Sequence, residues 1–254
     1  MKKNIIAIVN QKGGVGKTTT VINIAHYLAS IDKKVLIIDL DPQGNVTGGL
    51  GQVNKNSNKT SYQLVMGLKN LLECTIILKN RPNLSLIPSD SNLSGAEVEL
   101  VAKQSREYFL KNQLLDTDYD YILIDCPPSL GLLTINALTA ANSVIIPVQT
   151  EYYALEGLSQ LLATYQAIKN STNPQLEITG VLLTMYDKRT TLSNNVRNEI
   201  KQYFKELVFD TTIPRNVRLA EAPSFGKTIF EHDRWSRGAK AYKNLGKEVV
   251  KRTS

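Results

Sequence analysis

Residues 5–9, Ile5-Ile6-Ala7-Ile8-Val9, are apolar at every position and run directly into a glycine-rich turn, Asn10-Gln11-Lys12-Gly13-Gly14-Val15-Gly16. Beyond it, Val21, Ile24, Ala25 and Leu28 recur at the spacing of one helix face. A strand with no polar alternation is buried on both faces, which is the habit of parallel sheets covered by helices. Similar runs follow at Val35–Ile38, Leu84–Ile87, Tyr121–Ile124, Val144–Val148 and Ile178–Leu183, most of them continuously apolar. The stretches between them have helical periodicity. Ser94-Gly95-Ala96-Glu97 has capping-box spacing and predicts a helix towards Leu110, and 155–170 predicts another, stopped at Asn173-Pro174. Alternating strands and helices imply an α/β fold: a doubly wound, mostly parallel sheet flanked by helices. The polar segment 51–61 is too short to divide the chain, so residues 1–254 are expected to form one domain.

Composition excludes several classes. With 42% hydrophobic and 21% charged residues, the chain is neither disordered nor fibrous. Cys74 and Cys126 lie far apart and form no CxxC, which argues against a local zinc site or a disulfide framework. The apolar start is too short for a signal-peptide core. The net charge of +7 is unevenly placed: residues 185–254 hold fifteen Lys and Arg against eight acids, while the rest of the chain is balanced. Such asymmetry points to a polyanionic partner, nucleic acid or an anionic membrane, or to a plain solvated basic surface.

The turn after the first strand carries the chemistry. Glycines between a strand and a helix aim successive backbone N–H groups at one point, and the helix N-terminus adds positive potential there, so phosphates bind. In Gly16-Lys17-Thr18-Thr19, Lys17 is placed to reach the β- and γ-phosphates, Thr18 to ligate Mg²⁺ through its hydroxyl, and Thr19 to bond the α-phosphate. The ordinary loop, GxxxxGK[ST], needs glycine where this chain has Gln11. The dinucleotide fingerprint GxGxxG fails at Thr19. A nucleoside triphosphate is therefore the expected ligand, and Lys12 is a second lysine in the cradle, where added positive charge aids catalysis.

Two carboxylate segments follow strands. Asp39-Leu40-Asp41-Pro42 offers two acids that share a face if the strand persists, one to help organise magnesium and one to position water. Ile122-Leu123-Ile124-Asp125 is an apolar run closed by aspartate, the second magnesium-associated motif of phosphate-loop proteins.

With NQKGGVGKTTT, IDLDPQGN, DCPPSLGLLTINAL, EYYALEGLSQLL, GVLLTM and IPRNVRLAEAPSFGK, essentially the whole chain resembles the ParA/Soj family of partitioning ATPases, which have a deviant Walker A loop. The resemblance implies ATP and Mg²⁺ as cofactors. It implies a homodimer closed around two ATP molecules, in which Lys12 reaches the partner's phosphates and Gly13 stays small so the subunits can approach. Lys12, Gly13, Gly14, Val15, Gly16, Lys17, Thr18 and Thr19 would form the nucleotide cradle, and Pro214 and Asn216 the adenine pocket. Asp41 would handle the attacking water, Asp125 would lie near magnesium, and Lys12, Lys17 and Asp41 would be the catalytic set. It further implies slow hydrolysis stimulated by a ParB-type partner, and ATP-dependent binding of double-stranded DNA without sequence preference. Arg189, Arg215, Arg218, Lys227, Arg234 and Arg237 are the candidate phosphate contacts, at a bacterial nucleoid in the cytoplasm.

Alternatives within the class are a nucleotide-dependent regulator of replication initiation and a MinD-like membrane-positioning ATPase. With the first strand starting near residue 4, no N-terminal helix-turn-helix domain is expected. The terminal segment 239–252 carries only a thin stripe, Tyr242, Leu245 and Val249, interrupted by Gly246. It is expected to pack on its own domain rather than insert in a bilayer.

Overall fold

The computed structural model describes residues 3–52, 58–151 and 156–254. Seven strands form one sheet in the order β3-β4-β2-β5-β1-β6-β7. They are β1 (Asn4–Ile8), β2 (Val35–Asp39), β3 (Ile76–Ile77), β4 (Leu84–Ile87), β5 (Tyr121–Asp125), β6 (Ser143–Gln149) and β7 (Glu177–Thr184). All neighbours are parallel except β3, which pairs antiparallel with β4 at the edge. The helices are α1 (Lys17–Ala29), α2 (Asn45–Gly49), α3 (Ser61–Val65), α4 (Leu71–Cys74), α5 (Leu93–Val101) and α6 (Phe109–Gln113), then α7 (Leu132–Ala140), α8 (Glu156–Asn170), α9 (Thr191–Phe204), α10 (Val217–Glu221), α11 (Ile229–His232) and α12 (Arg237–Thr253).

The unbroken apolar runs have the predicted cause. Ile5, Ala7, Leu36, Ile38, Ile122 and Ile124 enter one core, and Ile6, Ile8, Val35, Ile37, Tyr121 and Leu123 enter the other. The central strands β1, β2 and β5 are thus buried on both faces, whereas the edge strand β3 is not: Ile77 is exposed. Burying a side chain of this size contributes about 1.5–3 kcal/mol, so the sheet is the rigid frame of the molecule.

Two expectations need correction. The helix opened near Ser94 begins at Leu93, ends at Val101 and is not capped by a side chain. Residues 102–108 lack apolar periodicity, Ser105 takes φ +51°, and the chain turns before α6. Strand β2 does not persist to Asp41; it ends at Asp39. The pair β3 is too short to leave a sequence pattern. The predicted helix at 155–170 is α8 from Glu156 onward, and residue 155, like residues 53–57 of the polar segment, lies outside the described residues.

Helix α12 packs on α1. Tyr242, Leu245 and Val249 are buried, and the Tyr242 hydroxyl lies 3.2 Å from that of Thr20. Gly246 does not interrupt this face. It is the point where the Tyr27 ring crosses α12, and a Cβ there would lie well inside contact distance of the ring. Among the described residues no helix is long and apolar enough to cross a membrane.

Candidate nucleotide site

Parallel register places the functional strand ends together: Ile8 pairs with Asp125, and Asp39 pairs with Asp125. The loop from Asn10 to Gly16 leaves β1 at this edge. Gly14 and Gly16 have φ of +75° and +90°, backbone that L side chains rarely adopt, so glycine is required at both. The loop is braced from neighbouring strands. Asn10 Nδ2 donates to the Pro147 carbonyl at 2.8 Å, its Oδ1 accepts the Lys12 N–H at 2.9 Å, and the Thr184 hydroxyl donates to the Val15 carbonyl at 2.9 Å. No side chain caps α1 and no acid occupies its first turn, so its N–H groups face the loop uncompensated.

The two lysines face different ways. Lys17 is buried, at 7% exposure, and its Nζ donates to the Lys12 carbonyl at 3.1 Å across the loop. Burial pulls its pKa down, against the opposing pull of Asp125, Cys126 and Asp41. Lys12, with a side chain 42% exposed, turns outward and pairs with Glu151 at 3.0 Å. Gln149 bonds the other oxygen of that carboxylate. Beside Lys12 lies a cleft of about 620 Å³ bordered by Gln11, Pro128, Ser129, Leu130 and Gln160.

Behind Lys17 the acids divide their work. The Thr18 hydroxyl donates to Asp125 Oδ2 at 2.8 Å, while Asp125 Oδ1 is buried with no partner among the described residues. Burial, then the nearby Asp39, raises the Asp125 pKa well above the carboxylate range. An orphaned carboxyl oxygen next to a threonine hydroxyl suits magnesium, which takes one or two protein oxygens and completes its shell with phosphate and water. Asp39 is also fully buried, but it is satisfied: it accepts from the Thr47 hydroxyl at 2.7 Å, the Thr47 N–H at 2.9 Å and the Asp41 N–H at 3.2 Å. It therefore fixes the loop that carries Asp41. Burial raises its pKa to about 6. Asp41, nearly buried, accepts the Gln43 N–H at 2.9 Å. Cys126 is enclosed beside Asp125, and burial pushes its thiol far up, so it is inert.

Pro214 bridges Tyr186, bringing the loop after β7 alongside 213–217, and Asn216 caps α10 by accepting the Leu219 N–H at 3.3 Å. Arg189 and Arg215 are exposed on these adjoining loops, and Arg218 follows on α10. Arg189 is held by Asp187 at 2.7 Å, and Arg218 by Glu221 at 2.9 Å. Arg234 and Arg237 flank the start of α12, whereas Lys227 lies apart beside Arg81 and β3. Sequence reasoning missed Asn10, Thr47, Glu151 and Thr184, whose roles depend on contacts that no local pattern records.

A parallel sheet with a braced glycine loop, buried lysine and paired Thr18 and Asp125 at its carboxyl edge defines a phosphate-loop nucleotide-binding protein. A family profile described as an AAA domain matches residues 3–178. The sporulation initiation inhibitor protein Soj of Bacillus subtilis is 55% identical over 97% of this chain and 98% of its own length. The chromosome partitioning protein ParA of Myxococcus xanthus is 51% identical over 98% and 88%. Among solved structures, a cobyrinic acid a,c-diamide synthase from Mycobacterium smegmatis with bound ADP and magnesium is 36% identical, covers 98% of this chain and 95% of that one, and superposes with a TM-score of 0.86. The chain belongs to the ParA/Soj family of chromosome-partitioning ATPases.

Proposed function

We propose that this chain is an ATP-driven dimerising switch for DNA partitioning. The observation that carries the reading is the opposed placement of Lys12 and Lys17: one lysine fills the cradle, and the other stands at the surface, paired with Glu151. A cradle needs one lysine; an outward one serves a neighbouring subunit, as an arginine finger does. Gly13 supports this, because it is exposed and a Cβ there would meet nothing within 4 Å among the described residues, so a demand for glycine is sought outside the fold.

In this reading Gly14 to Thr19 hold the triphosphate of ATP, Thr18 and Asp125 hold Mg²⁺ with Asp41 close by, and Pro214 and Asn216 line the adenine. When bound, magnesium neutralises charge on the β- and γ-phosphates. Asp41, fixed through Asp39, orients the attacking water, and Lys12 of the second subunit stabilises charge developing on the γ-phosphate. Hydrolysis is slow, stimulated by a ParB-type partner, and opens the dimer.

The dimer doubles the basic surface of residues 185–254, so DNA binding follows ATP and falls steeply with salt. Arg189, Arg215, Arg218, Arg234 and Arg237 contact phosphates, with Lys227 at a separate edge. The apolar residues of α12 are spent on α1, which favours DNA over a membrane. Filter binding of duplex DNA with ATP, ADP or no nucleotide, at low and high salt, tests the reading. It predicts retention with ATP alone, lost at high salt; equal retention in all states contradicts it.

A further inference from the structure

The surface carrying Arg218 also carries the chain's single tryptophan. Trp235 lies in the turn between α11 and α12, is 83% exposed, and has the Arg234 guanidinium 4.7 Å from its ring centroid. One exposed aromatic needs no explanation, but a second stands nearby. Phe225, 63% exposed, stacks on His232 with centroids 5.1 Å apart. A continuous set of contacts runs from the Phe225 ring to the backbone of Trp235. His232 Nε2 lies 3.4 Å from Glu221 Oε2, Arg218 donates to the same oxygen at 2.9 Å, Arg218 Nε lies 3.7 Å from Asp233 Oδ2, and Asp233 Oδ1 accepts the backbone N–H of Trp235 at 3.2 Å. Two open aromatic faces and the cations Arg218 and Arg234 thus belong to one patch.

We propose that Trp235 and Phe225 are base-stacking platforms, so that this surface takes single-stranded DNA with splayed bases as well as duplex; this rests on the DNA reading above. The chemistry is selective. In a duplex the base faces are covered by their neighbours, and only edges and phosphates are offered. A flat indole with one face on Arg234 and the other open is matched by an unstacked base. Exposed aromatic faces with cations on the same surface are the combination by which single strands are held, with bases on rings and phosphates on arginines. A bilayer would need a contiguous apolar face to insert, and here the rings are separated by Glu221, Arg218 and Asp233.

Because Trp235 is the sole tryptophan, its fluorescence reports this surface alone. The full chain with ATP and Mg²⁺ is titrated with oligothymidylate or a duplex of matched phosphate number, following tryptophan emission and, with end-labelled DNA, anisotropy. Oligothymidylate is expected to quench Trp235. Trp235→Ala is expected to weaken its binding by about 5- to 100-fold without changing the salt slope, while Trp235→Phe retains most of it. Arg218→Ala should instead reduce the slope by about 0.7 on single strands. If anisotropy shows both DNAs bound while emission and the Trp235→Ala affinity stay unchanged, stacking is overturned and the duplex reading stands. If neither DNA binds in any nucleotide state, both readings fall. If emission responds only to phosphatidylglycerol vesicles, the surface belongs to a membrane and the proposal is overturned.

Discussion

The Thr18 hydroxyl donates to Oδ2 of Asp125 at 2.8 Å, joining the first turn of α1 to the end of β5 across 107 residues of sequence. This bond leaves the other carboxylate oxygen buried with no partner among the described residues. A folded protein retains such an oxygen at a cost, because an unsatisfied buried acceptor destabilises by about 1–3 kcal/mol.

Asp125→Asn therefore separates stability from function. The folded pKa of Asp125 is raised by burial, so in the nucleotide-free protein its contribution to stability is fully present below the unfolded carboxylate pKa and is lost as pH rises through the folded one. Asparagine removes that loss. The stability of Asp125→Asn relative to the parent should increase from pH 4 to pH 8 in urea unfolding, while magnesium-dependent ATP turnover falls at least about tenfold. A pH-independent difference would show that the Asp125 proton is not linked to folding.

The two aspartates of the β2 loop should fail differently. Asp39→Ala removes the acceptor of three hydrogen bonds and leaves the Thr47 hydroxyl proton without its acceptor, so unfolding should show a loss of about 1–3 kcal/mol. Asp41→Ala gives up one loop bond and should stay within about 1 kcal/mol, yet abolish turnover and trap ATP. Equal stability losses would show that Asp39 does not fix the loop.

These aspartates also show how far sequence carries. The apolar runs revealed the sheet because burial on both faces is written into every strand residue. The glycine loop was legible because Gly14 and Gly16 answer to local backbone geometry. Asp39 and Asp41 looked equivalent, since spacing alone cannot tell that β2 stops at Asp39 and that Thr47 folds back onto it. Glu151 opens the motif EYYALEGLSQLL, but its pairing gave no local signal, because its partner Lys12 is 139 residues away. The helix placed at 94–110 failed because capping-box spacing is short and common, and here Ser94 sits inside α5.

Glu151 holds Lys12 within its own chain. Glu151→Ala should free the lysine and tighten the ATP dimer by up to about fivefold, the range of an exposed ion pair. Sedimentation velocity with ATP and Mg²⁺ measures it; a weaker dimer would mean that Glu151 acts across the interface.

Two glycines predict opposite behaviour. Gly246→Ala drives a methyl group into the Tyr27 ring and should cost about 1–3 kcal/mol in unfolding, with dimerisation intact at low temperature. A Cβ at Gly13 meets nothing among the described residues, so the melting temperature of Gly13→Val should match the parent while the ATP dimer is lost. A destabilised Gly13→Val monomer would place the constraint inside the fold.

The central claim is that Lys12 serves the opposite subunit's nucleotide. Lys12→Ala and Asp41→Ala are each expected to be inactive in ATP hydrolysis. Mixed in equal amounts, half the dimers are heterodimers, and in each the Lys12→Ala site keeps its own Asp41 and receives Lys12 from its partner. The account predicts recovery of about a quarter of parental turnover, as for a catalytic cation supplied in trans. A mixture as inactive as its components, with heterodimers present by sedimentation, would place Lys12 on its own subunit's nucleotide and contradict the account.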